Sequence, residues 1–570
     1  MRYFVLATDY DGTLATDGHV NEKTLEALER LRASGRKLIL VTGRQLDDLQ
    51  QVFERIDLFD YVVAENGALL YSPASRQEKL LGSQPPQEFI QALRDRHVNP
   101  LAVGRVIVAT WHPHETTVLQ TIRDLGLELQ VIFNKGAVMV LPSGINKAAG
   151  LLAALNEMKL SPHNVVGVGD AENDHAFLKL SELSVAVANA LPMLKEQVDF
   201  VTQGKRGDGV VELIDKIIAN DVSDLNEQLQ RHKILLGNQT DGAEVYIKPY
   251  GSSILLAGTS GGGKSTLATA VLERIAEHNY QICIIDPEGD YDNFEPGIIL
   301  GNTEGAPRIA EVLDLLEQPN QNVVVNLLGI ALQDRPAFFA ELLSALLELR
   351  SRTGRPHWIV VDEAHHLIPA SWHPASLTLP QQLKGMMLIT VHPDRVATAG
   401  LSLIDTILTV GNSPEENIKA FCETLGDFPP QLQPQTLETG EALAWFREQN
   451  SEPFRFQITP GRTERRRHVR KYAEGELGED KSFYFRGPEA KLNLRAQNLI
   501  LFTQIAEGVD DETWLFHLQR GDYSRWFKEA IKDESLAEEI AEIEKSDGKS
   551  ANETRDAIKA AIDKRYTLPA

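Results

Sequence analysis

Short apolar segments alternate with amphipathic ones twice along this chain, over residues 1–215 and again from about 246 to 460. The apolar runs of the first stretch lie at 4–8, 37–42, 165–168 and 185–187. Those of the second lie at 253–258, 281–286, 322–328, 358–362, 387–391 and 406–410. An order of strand, helix and strand is typical of a parallel sheet with helices on both faces. We therefore predict an α/β protein with two doubly wound, mainly parallel sheets.

The same pattern divides the chain into segments, consistent with a length of 570 residues, which is more than one hydrophobic core usually serves. Residues 76–143 interrupt the first alternation, so we predict an inserted cap between the two core segments 1–75 and 144–215. Three further segments are predicted: a polar helical connector at 216–245, a basic hinge at 461–480 and a helical C-terminal domain at 481–570.

Composition restricts the compartment and the partners. The two cysteines, Cys283 and Cys422, cannot form a disulfide framework and fit a reducing compartment. No run of 18 apolar residues occurs, so we expect a cytoplasmic protein without a membrane partner. A net charge of −24 repels nucleic acid, so any DNA contact requires a local basic patch.

The first chemical motif is Asp9-Tyr10-Asp11-Gly12-Thr13, directly after an apolar run. Ligands bind at the carboxyl ends of the strands in a parallel sheet. Two carboxylates one residue apart at such an end can hold a divalent cation and leave an oxygen free to attack phosphorus. Asp9 and Asp11 are therefore candidates for catalysis and metal binding.

Three more motifs supply groups that fit phosphate and metal. Thr42 and Gly43 end a second apolar run and offer a hydroxyl and a flexible backbone. Lys147 follows a turn and offers a cation for phosphate. Asp170, Asn173 and Asp174 follow a third apolar run and offer metal-binding oxygens. Trp111, His112 and His114 in the inserted segment are expected at packing or surface positions.

These motifs, with AENGALLY at 64–71 and VAVANALP at 185–192, resemble the Cof-type (IIB) branch of the haloacid dehalogenase superfamily. The resemblance implies a phosphatase in which Asp9 forms an aspartyl-phosphate and Asp11 acts as general acid and base. It further implies that Thr42, Gly43 and Lys147 bind the phosphoryl group. Mg²⁺ would be held by Asp9, Asp170 and the backbone carbonyl of Asp11, with support from Asp174 and Asn173. The inserted segment is short for a cap of this branch.

The second chemical motif is a P-loop that follows one apolar run and precedes a helix, as the motif requires. Its candidate nucleotide-binding residues are Gly258, Thr259, Ser260, Gly261, Gly262, Gly263, Lys264, Ser265 and Thr266. Backbone N–H groups of such a loop surround phosphates, the lysine reaches the β- and γ-phosphates, and Ser265 would bind Mg²⁺. Downstream, Asp362 would complete the metal shell and Glu363 would polarise the attacking water, which indicates ATP hydrolysis.

Together with IDPEGDY at 285–291, the P-loop segment resembles the HerA/FtsK-type ATPases across about 246–440. The resemblance implies a ring hexamer that moves DNA with a trans-acting arginine. Arg395 is a candidate for that arginine, with a solvated helix start as the alternative. Val391 stands where the family usually has Gln, which puts coupling to motion in doubt.

The C-terminal segment contains aromatic clusters at 483–485, 514–516 and 526–527. It resembles a helical module of the DUF5752 type, whose function is unknown, and the aromatic residues are expected in its core. The run at 465–467 is expected to be a solvated hinge rather than a phosphate contact.

The sequence thus predicts an Mg²⁺-dependent phosphatase fused to an ATPase that uses ATP with Mg²⁺. Its partners would be a phosphorylated small molecule or polynucleotide end, ATP, and further copies of the chain. Two alternatives stay open: a DNA-associated translocase that processes nucleic-acid phosphates, and a signalling or defence scaffold with a nucleotide-sensing switch.

Overall fold

In the computed structural model, two compact units comprise Met1–Thr459 and Pro460–Ala570. The structure describes residues 1–225, 229, 231–259, 263–371, 384–447, 451–462, 482–531, 534–546 and 550–566. Among them, no helix has both the length and the apolar character needed to cross a membrane. The predicted α/β class, with mainly parallel sheets and a helical C-terminus, is confirmed.

The first unit begins with an eight-stranded sheet in the order β12-β11-β10-β1-β2-β3-β4-β5. These strands are β1 (Val5–Thr8), β2 (Lys37–Val41), β3 (Tyr61–Ala64), β4 (Leu69–Ser72), β5 (Gln77–Leu80), β10 (Val165–Gly169), β11 (Leu183–Ala186) and β12 (Phe200–Val201). Strands β4 and β5 are antiparallel additions to an otherwise parallel sheet. Residues 77–80 thus belong to the core sheet, although we predicted that the inserted segment begins at 76.

Helices pack against this sheet through apolar faces. They are α1 (Glu22–Ala33), α2 (Leu46–Val52), α5 (Lys147–Glu157), α6 (His175–Leu180), α7 (Pro192–Lys195) and α8 (Arg206–Asn220). The start of α1 is fixed by Asn21, whose side chain accepts a hydrogen bond from the N–H of Thr24. Ala27, Leu28 and Leu31 bury the inner face of the same helix. Such spacing of three and four residues is what the sequence pattern predicts for an amphipathic helix.

The inserted segment forms a cap with its own four-stranded antiparallel sheet, ordered β6-β7-β9-β8. Its elements are α3 (Gln87–Asp95), β6 (Ala102–Val103), β7 (Val108–Trp111), α4 (Glu115–Asp124), β8 (Leu129–Asn134) and β9 (Ala137–Pro142). Phe89, Leu93, Val118 and Val140 belong to a separate small core beneath this sheet. The cap therefore has enough apolar contact to keep its own shape.

An eleven-stranded sheet fills the rest of the first unit, in the order β14-β13-β23-β22-β21-β15-β20-β19-β16-β18-β17. Its strands are β13 (Ile234–Asn238), β14 (Glu244–Ile247), β15 (Ser253–Gly258), β16 (Ile282–Asp286), β17 (Gly297–Leu300), β18 (Asn322–Asn326), β19 (Trp358–Val361), β20 (Met386–Thr390), β21 (Thr406–Val410), β22 (Glu441–Phe446) and β23 (Phe454–Ile458). Its helices are α9 (Lys264–Glu277), α10 (Ile309–Leu316), α11 (Arg335–Thr353), α12 (Ala364–Leu367), α13 (Thr398–Leu401) and α14 (Pro414–Leu425). Successive residues of β15 pack into different cores on the two faces, as a doubly covered sheet requires.

The predicted helical connector is wrong over its second half. Residues 234–247 form the antiparallel strands β13 and β14, which extend the second sheet. Ile234, Leu236, Val245 and Ile247 are buried. An alternation of period two places these side chains on one face of the sheet, and that pattern outweighs the polar composition of the segment.

The second unit contains a two-stranded sheet and five described helices. These are β24 (Phe483–Phe485), β25 (Leu494–Ala496), α15 (Leu499–Gly508), α16 (Asp511–Gln519), α17 (Asp522–Trp526), α18 (Glu534–Glu544) and α19 (Ala551–Tyr566). Phe485, Trp514, Tyr523 and Phe527 are buried in its core, as expected for the aromatic clusters. The basic run at 465–467 lies outside the described residues.

Candidate functional site

Three buried carboxylates converge at the carboxyl edge of the first sheet. Asp9 follows β1, and Asp170 and Asp174 follow β10, which pairs with β1 in parallel. Neighbouring parallel strands bring their carboxyl ends to one edge. Oxygen atoms of the three side chains all lie within 4.8 Å of one another.

Lys147, the first residue of α5, lies between two of these carboxylates. Its Nζ is 2.5 Å from Oδ1 of Asp9 and 2.6 Å from Oδ1 of Asp174. Burial, reinforced by the charge of Asp174, raises the pKa of Asp9 to about 8 although Lys147 acts in the opposite direction. Burial lowers the pKa of Lys147, but Asp174 and Asp9 outweigh it and the net shift is upward. The site therefore gathers three carboxyl groups around one buried ammonium group.

Asp174 is held by the backbone. Its Oδ2 accepts hydrogen bonds from the N–H groups of Asp170 at 2.8 Å and Ala171 at 2.9 Å. A side chain at Gly169 would place Cβ 2.7 Å from the same oxygen, so this position requires glycine. The turn fixes the orientation of Asp174 before any ligand binds.

Asp11 stands apart from the three carboxylates. Arg44 binds it through two hydrogen bonds, Nε to Oδ2 at 2.6 Å and Nη2 to Oδ1 at 2.8 Å. About half of the Asp11 side chain is exposed. Its position at the cavity suits proton exchange with a bound ligand better than side-chain metal binding.

The remaining predicted phosphate-binding residues border the same edge. Thr42 is buried after β2, and its Oγ1 accepts a hydrogen bond from the N–H of Arg44 at 3.1 Å. Gly43 and Asn173 line the cavity. Asn173 donates a hydrogen bond to Oδ1 of Asn66 at 2.9 Å. These residues surround the carboxylates with neutral polar groups.

A cavity of about 450 Å³ separates these residues from the cap. Trp111, Lys135 and Met139 line it from the cap side. Trp111 is exposed, as predicted, and the surface it occupies is the wall of this cavity. His112 instead pairs with Glu115, and His114 hydrogen-bonds the carbonyl of Asn99.

Sequence reasoning missed two cationic residues of the site. Lys135 reaches from the cap to Asp170, with its Nζ 2.7 Å from Oδ2. Arg44 directly follows Gly43, a predicted phosphate-binding residue, but was not itself predicted to belong to the site. Asp9, Asp170 and Asp174 offer the all-oxygen donor set that Mg²⁺ or Mn²⁺ prefers, and a divalent ion fits the unbalanced negative charge.

The described P-loop residues lie at the end of β15, directly after it and at the start of α9. Gly258, Thr259, Gly263, Lys264, Ser265 and Thr266 are described, whereas Ser260, Gly261 and Gly262 lie outside the described residues. Lys264 begins α9, and its Nζ donates a hydrogen bond to the carbonyl of Thr259 at 3.1 Å. Burial lowers the pKa of Lys264, with Glu363 and Asp362 opposing that shift.

Two acidic residues directly follow β19. Burial raises the pKa of Asp362 to about 8, and Glu363 follows in a left-handed conformation with φ of 41°. Burial also raises the pKa of Glu363, which Lys264 counteracts. The two acids are thus close enough to Lys264 for electrostatic interaction. Arg395 is exposed beyond β20.

Sequence profiles of two families match the chain. That of the haloacid dehalogenase-like hydrolases matches residues 6–115 and 112–214, and that of the central domain of helicase HerA matches residues 234–341. The first match covers the three carboxylates, Lys147 and the cap. The second covers the P-loop but ends before Asp362.

Characterised relatives resemble the N-terminal region. Phosphoglycolate phosphatase from Methanothermobacter thermautotrophicus is 31% identical over 220 residues, which cover 37% of this chain and 96% of the relative. Phosphoglycolate phosphatase 2 from Saccharolobus solfataricus is 28% identical over 225 residues, covering 38% and 92%. A solved haloacid dehalogenase-like hydrolase from Bacteroides thetaiotaomicron shares 19% identity over 38% of this chain and 99% of its own, with a TM-score of 0.34. The relatives are matched over almost their whole length.

Proposed function

Because the chain belongs to the haloacid dehalogenase-like hydrolases, we propose that its N-terminal region is an Mg²⁺-dependent phosphatase that forms an aspartyl-phosphate on Asp9. The convergence of Asp9, Asp170 and Asp174 around Lys147 carries this proposal. A lone buried carboxylate repels a phosphate dianion. Cations beside Asp9 are therefore what allows it to act as a nucleophile.

The chain's own residues account for both half-reactions. An oxygen of Asp9 attacks phosphorus and the bond to the leaving oxygen breaks, while Asp11 donates a proton to that oxygen. Water then loses a proton to Asp11, attacks phosphorus and releases Asp9. Lys147, with Thr42 and Gly43, orients the phosphoryl oxygens. Asp9, Asp170 and the carbonyl of Asp11 would hold Mg²⁺, with support from Asp174 and Asn173; when bound, the ion offsets the charge of the phosphate.

A small phosphorylated molecule is the proposed substrate. The cavity of about 450 Å³ lies near the small end of the range for ligand pockets, roughly 300–1,000 Å³. Its size favours a small ligand over a polynucleotide end. Phosphoglycolate is the first candidate because two of the relatives above are named phosphoglycolate phosphatases.

The test uses the full chain with Mg²⁺ and a panel of phosphoglycolate, sugar phosphates, nucleotides and 3′-phosphorylated oligonucleotides. Phosphate release is measured for the parent chain and for Asp9→Asn, which keeps the shape but cannot attack. We expect turnover of at least one small phosphomonoester and its loss in Asp9→Asn. Equal turnover by the variant would exclude the nucleophilic role of Asp9.

For the second sheet we propose an ATPase, because a HerA-type central domain spans residues 234–341 and Lys264 lies near Asp362 and Glu363. Lys264 and Ser265 would bind the phosphates and Mg²⁺ of ATP, and Glu363 would orient water. Lys264→Ala should abolish ATP hydrolysis and leave phosphate release from monoesters intact, whereas Asp9→Asn should do the reverse. Added DNA should raise ATP turnover only if the region acts as a translocase.

A further inference from the structure

The tip of a cap hairpin carries an unusual residue. Strands β8 and β9 pair in register up to Asn134 and Ala137, so Lys135 and Gly136 alone form the turn. Their φ angles are 48° and 89°, the left-handed pair of a type I′ turn. Asn, Asp or Gly usually takes the first position because a longer side chain is strained there. Backbone strain of this kind is enriched at ligand-binding and catalytic sites.

The side chain of Lys135 extends from this turn to the core. Its Nζ lies 2.7 Å from Oδ2 of Asp170, and about half of the side chain is exposed to the cavity. Lys147 is already bonded to Asp9 and Asp174, and Arg44 to Asp11 and Asp48. Among the described residues that line the cavity, Lys135 is the cation that the cap contributes.

Asp170 is also a ligand of the proposed metal ion, so the two cations compete for one carboxylate. A divalent ion held by Asp170 would repel the ammonium group of Lys135. That group would then pair favourably with another anion within reach of the hairpin tip. A substrate bound beneath the cap can provide it.

The turn that carries Lys135 is anchored to the rest of the cap. The N–H of His112 donates to the carbonyl of Gly136 at 2.9 Å, which fixes the turn to the end of β7. Trp111 packs against the turn, because a Cβ at Gly136 would lie 3.9 Å from its ring. The tip is therefore held in place at the cavity.

We propose that Lys135 is a specificity-determining residue that binds a second negative charge on the leaving group, an inference that rests on the proposed phosphatase function. In an in-line displacement the leaving group points away from Asp9, towards the cap. The preferred substrates are small phosphomonoesters whose leaving group carries a carboxylate or another phosphate. Lys147 binds the transferred phosphoryl group, and Lys135 binds the other anion.

The test compares three substrates of equal chain length: propyl phosphate, 3-(phosphonooxy)propanoate and propane-1,3-diol bisphosphate. The full chain is assayed with Mg²⁺ as the parent and as Lys135→Met, Lys135→Arg and Lys135→Asn. Asn suits the turn, so Lys135→Asn removes the charge without endangering the fold. Arg123→Gln, an exposed cap cation on α4, is the matched control.

Binding supplies a readout besides turnover. Calorimetry in the presence of Mg²⁺ measures the affinity of each ligand for two proteins. These are the Asp9→Asn variant and the double variant that also carries Lys135→Met. We expect removal of the charge to weaken binding of the two ligands that carry a second anionic group by ~10-fold or more. Binding of propyl phosphate, which has one anionic group, should change little. Lys135→Arg should retain most of the preference for ligands with a second anionic group, and Arg123→Gln should retain all of it. Comparing the carboxylate with the bisphosphate identifies which second anion is preferred.

Equal losses for all three ligands would overturn the proposal, because Lys135 would then bind the phosphoryl group. No loss for any ligand would overturn it as well. In either case, turnover of propyl phosphate by the parent leaves the proposed phosphatase function standing. If the parent chain hydrolyses none of the three substrates and no member of the wider panel, the proposed phosphatase function itself is wrong.

Discussion

Lys147 and Asp9 form a buried ion pair, with Nζ 2.5 Å from Oδ1 and almost no exposure of either side chain. The lysine also binds Asp174, so one cation serves two carboxylates. This shared arrangement keeps the proposed nucleophile close to the charge that its reaction with a phosphate dianion requires.

Lys147→Met tests that arrangement by removing the charge at similar length. We expect phosphatase kcat to fall by ~10²–10³-fold, because an electrostatic contact to the transferring group is lost. The metal-free protein should lose about 3–5 kcal/mol of unfolding free energy, since buried carboxylates lose their partner. Activity assays and urea unfolding measure the two effects.

Lys159→Met is the matched control, because its pair with Glu317 is exposed. Its unfolding free energy should change by ~1 kcal/mol or less, and its kcat should be that of the parent. Unchanged kcat in Lys147→Met would remove Lys147 from the catalytic site.

The raised pKa of Asp9 predicts a pH-dependent stability. The folded pKa is about 8 and the ordinary value is 3.8, so the folded state binds the proton more tightly than the unfolded state. Stability is therefore lost as pH rises between these values. Asn cannot ionise, so the advantage of Asp9→Asn over the parent should grow from pH 4 to 8 and then level off.

Urea unfolding with a chelator present, repeated at each pH, measures this difference. Mg²⁺ should reduce the stability advantage of Asp9→Asn, because an ion beside Asp9 stabilises the carboxylate of the parent. A stability difference that stays constant from pH 4 to 9 would show that ionisation of Asp9 is not resisted by its surroundings.

The sequence was sufficient to predict the three carboxylates and Lys147 as parts of one site. Each acid follows an apolar run, and parallel pairing of β1 with β10 brings the strand ends together. The alternation at Ile234, Leu236, Val245 and Ile247 is typical of strands, but we predicted a helical connector from the polar composition of the segment. In that segment, periodicity was a better guide than composition.

Contacts that depend on how separate parts pack could not be predicted. Lys135 reaches Asp170 only because the cap lies over the sheet, and no local pattern encodes that placement. The same holds for His163 and Tyr280, whose rings stack at 3.7 Å between the two sheets of the first unit. The resemblance of residues 481–570 to a known helical module stays a prediction.

Gly12 offers a test of backbone geometry at the site. It has φ of +88°, and a Cβ there would lie 2.4 Å from Oδ2 of Asp170. Gly12→Ala should therefore displace Asp170 and lower phosphatase activity by ~10²-fold or more, since misplacement of about 1 Å has costs of that order.

Gly35→Ala is the matched control, because Gly35 has the same φ and nothing lies within 4 Å of its Cβ position. It should cost roughly 1–2 kcal/mol of stability from strain and leave activity intact. Equal activity of the two variants would mean that Asp170 tolerates displacement.

Glu182 joins the two sheets of the first unit. It accepts hydrogen bonds from Arg2, from Nδ1 of His163 at 2.7 Å and from the hydroxyl of Tyr280 at 2.9 Å. Burial raises the pKa of Glu182, but Arg2 and His163 outweigh it and hold the pKa well below the ordinary 4.5. Its contribution to stability is thus present above pH 4.5 and is lost as pH falls.

Glu182→Gln keeps the shape of the side chain but removes the negative charge that Arg2 and His163 face. We expect a loss of about 3–5 kcal/mol at pH 7, because one partner of a buried pair is removed. The loss should shrink as pH falls below 4.5, because the unfolded parent gains a proton on Glu182 before the folded parent does. Glu317→Gln, in an exposed pair between the same two regions, should cost ~1 kcal/mol or less. Equal losses in the two variants, measured by urea unfolding, would show that Glu182 does not hold the two sheets together.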